Sequence, residues 1–65
     1  MKVQSVLFDV DKFTIQKAKS WLKKHGFIHP KVHVTSHYLR FRQAEPKGRM
    51  RITNVADGIK FIVMF

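Results

Sequence analysis

At 65 residues, with thirteen Lys and Arg against four Asp and Glu, the chain carries a formal net charge of +9 and has no Cys. That length allows one domain (1–65) with one small core, burying only about 60% of the unfolded surface. The missing Cys excludes a disulfide framework or thiolate metal site, and a 45% apolar share argues against disorder.

Uncompensated charge repels itself in a compact state, so an anionic partner is expected, and nucleic acid, DNA or RNA, is the commonest. No stretch approaches the roughly 20 apolar residues that cross a bilayer, so no membrane partner is expected. The apolar run in Met1-Lys2-Val3-Gln4-Ser5-Val6-Leu7-Phe8-Asp9 is too short and too soon broken for a signal peptide. A soluble, unprocessed chain is expected.

Val3 to Phe8 is a short β-rich run stopped by Asp9-Val10-Asp11. Thr14 follows as an N-cap whose hydroxyl can accept an orphan N–H of the first helical turn. Phe13 is placed to pack on Ala18 as a hydrophobic staple, although Lys17 stands where a capping box wants Glu. From Ile15 to His25, Ile15, Ala18, Trp21, Leu22 and His25 fall on one helical stripe, leaving Lys17, Lys19, Lys23 and Lys24 outside it. Gly26 supplies the left-handed residue that ends a helix, and Pro30 prevents its resumption.

Lys31 to Thr35 alternates, with Val32 and Val34 on one face and Lys31 and His33 on the other. His37 to Gln43 alternates again, Leu39 and Phe41 against Tyr38, Arg40 and Arg42. Ala44 to Arg49, with Pro46 and Gly48, reads as a loop. Met50 and Ile52 then read as inward-facing, opposite Arg51 and Thr53. Ala56-Asp57-Gly58 reads as a type I′ hairpin turn. The last strand, Gly58 to Phe65, sets Ile59, Phe61, Val63 and Phe65 against Lys60. The expected fold is α+β, order β-α-β-β-β-β, with one helix on a small antiparallel sheet.

The opposite sheet face would carry Tyr38, Arg40, Arg42, Arg51, Thr53 and Lys60. Arg40 and Arg42 at i and i+2 project from one side about 6.8 Å apart, a spacing that suits successive phosphates. Tyr38 could stack on an unpaired base. The plainer reading is a solvated face kept charged against sheet aggregation. Lys19 and Lys23 stack at i, i+4 and would extend a polyanion footprint or simply be solvated.

Val6-Leu7-Phe8-Asp9-Val10-Asp11 resembles the Asp-x-Asp nucleophile motif of haloacid-dehalogenase-type phosphatases. Lys12 stands where that family has Gly, Thr14 comes one position late, and the chain is too short for that fold. Acids near a helix N-terminus suffice as an explanation. His25, His29, His33 and His37 recur every fourth residue, but Gly26 and Pro30 interrupt any helix that would stack them. No metal, cofactor or catalytic constellation is expected, and so no enzyme. Trp21 is expected in the core against Leu39, Phe41 or Phe61. Phe61-Ile62-Val63-Met64-Phe65 is apolar on both faces, so it should be covered on both sides or paired at its edge, in a homodimer or with a viral structural protein.

Ala18-Lys19-Ser20-Trp21-Leu22-Lys23-Lys24-His25-Gly26-Phe27, Tyr38-Leu39-Arg40-Phe41-Arg42-Gln43 and Asp57-Gly58-Ile59-Lys60 together carry a resemblance. Spanning Phe8 to Ile62, the chain resembles a short module of tailed-phage and large-DNA-virus proteins, one that also stands near phage prohead-protease regions. The resemblance implies a viral origin, in host cytoplasm or virion interior. The function expected is a nucleic-acid-binding module with little sequence preference. The alternative is a virion structural or capsid-assembly protein joined through its C-terminal strand.

Overall fold

The computed structural model describes residues 2–29 and 31–65. Its elements are β1 (Lys2–Asp9), α1 (Ile15–Lys24), β2 (His33–Val34), β3 (Tyr38–Arg42), β4 (Met50–Ala56) and β5 (Ile59–Met64). All strand pairs are antiparallel, in one sheet of order β2-β3-β1-β5-β4. The α+β class and the element order are those expected from the sequence.

β1 is central because it is apolar in both directions, and Gln4 to Phe8 are all buried. Val6 and Phe8 face α1 together with their cross-strand partners Phe41 and Leu39 on β3 and Phe61 and Ile59 on β5. Ala18 and Leu22 of α1 close this core from above. Phe8 anchors it, its ring lying 5.0 Å from Phe13 and 5.7 Å from both Trp21 and Phe41, all edge-to-face. Trp21 does pack inward, reaching Phe61 at 6.3 Å, and its outer face carries the His25 ring at 4.0 Å.

The helix begins as its cap chemistry dictates. Thr14 Oγ1 accepts the Lys17 N–H at 3.2 Å. At the other end Gly26 takes φ 78°, Phe27 N–H donates to Leu22 O at 2.9 Å, and Gly26 N–H donates to Lys23 O at 3.3 Å. Those two bonds make a Schellman ending. Pro30, expected to block resumption of the helix, lies outside the described residues, as does Met1.

Asp9 organises the turn before the helix. Its carboxylate accepts the Asp11 N–H at 2.8 Å, and its carbonyl accepts from Lys12 and Phe13. Lys12 then reaches Asp57 in the β4–β5 turn, and that hydrogen bond, followed by the carboxylate's charge, raises the ammonium above its ordinary pKa.

Three expectations need correction. The Asp57-Gly58 turn is not type I′, because only Gly58 has positive φ (79°) while Asp57 does not. The Lys31–Thr35 strand shrinks to His33 and Val34, the two residues that pair with Arg40 and Leu39 of β3. The β4 faces are also reversed. Arg51 pairs with Val63 and Thr53 with Phe61, so both lie on the helix side, while Met50 and Ile52 join Met64 and Ile62 on the other. β4 is an edge strand, and none of its residues packs into or against the core beneath the helix. Every β4 residue is therefore exposed, and hydrophobic alternation there does not point at the core.

Candidate nucleic-acid interface

Among the described residues no helix covers the face away from α1, and β1, β3 and β5 set its composition. Cross-strand pairing lines up Ser5 with Arg42 and Ile62, Leu7 with Arg40 and Lys60, and Asp9 with Tyr38. Tyr38, Arg40, Arg42 and Lys60 thus share this open face, as their alternation implied. Leu7 is only 6% exposed although it points this way. Its position between Arg40 and Lys60 explains that, because their aliphatic stems roof it while the charged heads stay outside.

Each of these side chains has a defined partner. Arg40 is half-buried; its Nε donates to Ser5 Oγ and its Nη2 to Gln4 Oε1, each at 3.1 Å. Ser5 Oγ donates in turn to Gln4 Oε1 at 2.6 Å, and Gln4 Nε2 donates to Ala44 O at 3.0 Å. Arg42 meets this network only at the Ala44 carbonyl, to which its Nε donates at 3.4 Å, and its Nη2 lies 3.3 Å from the carboxylate of Glu45, whose side chain is 93% exposed. So exposed a pair contributes about 0–1 kcal/mol and yields readily to a competing anion. Lys60 Nζ donates to the Tyr38 hydroxyl at 3.0 Å and lies 5.4 Å from the centre of that ring.

The remaining expected contacts fall elsewhere. Arg51 stands on the helix side of β4 with its guanidinium 5.0 Å from the Phe65 ring centre. It does not join Arg40 and Arg42. Lys19 and Lys23 are exposed on α1, across the sheet from the open face. The basic residues therefore form separate patches.

Gln4 and Ser5 are the contributors that sequence reasoning missed. A bulge between Val3 and Ser5 inserts one extra residue, letting two consecutive polar side chains reach Arg40. The visible signal was a break in alternation, two adjacent polar residues inside an otherwise apolar strand. His33 and Thr35 were missed too. With Gln4, Arg40, Arg42 and Pro46 they line a cleft of about 240 Å³ where the loop after β3 rises over the sheet.

Towards β4 the open face turns apolar. Ile52 and Met50 are 61% and 48% exposed, beside Ile62. Met64 is buried beneath the loop, its sulfur accepting the Lys47 N–H at 3.2 Å. β5 itself is paired on both edges, with β1 and β4, so an edge-on partner cannot add to the C-terminal strand as expected. The outer edge of β4 is the one available on that side.

Among the described residues, no three of His, Asp or Glu gather as a metal site, and no helix is long and apolar enough to cross a membrane. The chain matches no protein-family model, no curated protein and no solved structure.

Proposed function

We propose that this chain is a small basic viral module that binds nucleic acid through its phosphate backbone, with little sequence preference. The viral setting rests on the resemblance in its helix and β3 segments. The observation that carries the binding reading is the convergence of Tyr38, Arg40, Arg42 and Lys60 on a sheet face that no helix covers. The net charge of +9 supplies long-range attraction, and among the described residues Glu45 is the one acid ion-paired to a cation of that face.

In this reading Arg42 exchanges Glu45 for phosphate, and Lys60 leaves the Tyr38 hydroxyl for a neighbouring phosphate. Moving Lys60 uncovers the Tyr38 ring for a base, a contact that contributes about 1–3 kcal/mol where it forms. Backbone contacts of this kind position a strand without reading its sequence. A fluorescence titration of single- and double-stranded DNA and RNA over a range of salt tests it. Weak binding that ignores salt would refute it.

A second reading, a virion structural or capsid-assembly role, is favoured by the exposed Met50–Ile52 row beside the outer edge of β4. Light scattering on the purified chain separates the two. A strict monomer that captures no viral structural protein removes this second reading and leaves the first untouched.

A further inference from the structure

We infer that the cleft lined by His33, Thr35, Arg40 and Arg42 seats a single phosphate group, gripped by Arg40 in one fixed orientation. This rests on the reading of the open face as a phosphate-contacting surface, and adds to it one built point of grip.

The charge balance around Arg40 points there first. The guanidinium is half-buried, yet its hydrogen-bond partners are the neutral oxygens of Ser5 and Gln4. Among the described residues the ion pairs are Lys12–Asp57 and Arg42–Glu45, and Arg40 belongs to neither. A cation held partly out of water without a counter-charge is costly, and an oxyanion arriving beside it offsets that cost.

The orientation of the fork points the same way. A guanidinium presents five N–H donors in a rigid plane; Ser5 and Gln4 engage two, and three are left. Ser5 and Gln4 are themselves fully buried and locked, one to the other and Gln4 to the Ala44 carbonyl. The donors are thus set before any ligand arrives, which removes most of the ordering cost of binding.

The surroundings select the ligand. The cleft of about 240 Å³ has no acidic residue in its lining. His33 lies directly across from Arg40 on the neighbouring strand, and Arg42 stands two residues along. Two guanidinium groups, an imidazole and a hydroxyl around one small space suit the tetrahedral oxygens of phosphate. The phosphate is either a monoester at a strand end or a diester within a strand; the chemistry is shared.

The test is titration of the full chain with inorganic phosphate against chloride at matched ionic strength, following the Arg40 Nε–H and His33 ring signals by NMR. A saturable shift at both with phosphate alone, with the His33 shift lost in Arg40→Lys, is the expected result. Arg40→Lys keeps the charge and removes the fork. Should it fail to fold, the wild-type titration decides alone. Single-stranded oligonucleotides with and without a 5′-phosphate then identify the source. Tighter binding of the phosphorylated form assigns a strand end, and equal binding assigns an internal diester. Signals that move no more with phosphate than with chloride overturn the seat. If oligonucleotides still bind with salt dependence in that case, the broader reading of the face survives; if they do not, both fall.

Discussion

Arg40 donates its Nη2–H to Gln4 Oε1 at 3.1 Å, a bond between residues 36 apart in sequence that ties β3 to β1. Gln4 in turn holds the loop after β3 through the Ala44 carbonyl. Gln4→Leu nearly keeps the volume and strands three partners, Arg40, Ser5 and the Ala44 carbonyl. It should destabilise the fold by about 1–3 kcal/mol, the cost of leaving a buried polar group unpaired. Urea denaturation measures that, and the same variant should show a weakened phosphate response at Arg40. An unchanged midpoint would mean that water replaces the amide without penalty.

Phe8 is fully buried where the helix, the 10–13 turn and β3 meet, with edge-to-face contacts to three rings. Truncating such a side chain costs about 3–5 kcal/mol. A domain of this size has total stability of that same order, at roughly 0.05–0.15 kcal/mol per residue. Phe8→Ala should therefore populate the unfolded chain heavily at room temperature, seen as lost near-ultraviolet circular dichroism.

Gly58 has φ 79°, and a Cβ there would sit 3.0 Å from Lys12 Cδ and 3.2 Å from Phe13 Cε2. The backbone conformation alone costs a non-glycine residue about 1–3 kcal/mol. Gly58→Ala should lower the thermal midpoint, and the loss should persist in a Lys12→Ala background because Phe13 and the strained φ remain. Full rescue by Lys12→Ala would assign the effect to the Lys12 side chain instead.

Arg51 and Arg42 carry the same charge on opposite faces of the sheet. Removing an open-face phosphate contact, as in Arg42→Ala, should reduce the salt slope of oligonucleotide binding by about 1. Arg51→Ala should leave the slope closer to wild type. Equal losses from the two would mean that the charge acts as a diffuse cloud.

Much of this was legible beforehand. The helix and its ends followed from Thr14, the Ala18–Leu22 stripe and Gly26, because capping and 3.6-residue periodicity are local properties. Leu39 and Phe41 declared the inner face of β3 for the same reason. β4 misled because alternation reports burial only where something lies overhead, and Ile52 at the sheet margin faces solvent on the side away from the helix. Gln4 and Ser5 were illegible as site residues because their role depends on a bulge and on contacts 35 and 36 residues distant. Only the strand order reveals that β1 runs beside β3.

The central claim is that the open sheet face engages phosphate, and a salt titration of single-stranded oligonucleotide binding tests it most directly. Wild type, Arg40→Ala/Arg42→Ala and Lys19→Ala/Lys23→Ala should be compared side by side. Affinity should fall log-linearly with salt, by a slope of about −0.7 for each phosphate engaged. The open-face double variant should show a much shallower slope, and the helix variant a slope near wild type. Binding that ignores salt, or a helix variant that loses as much as the face variant, would contradict it.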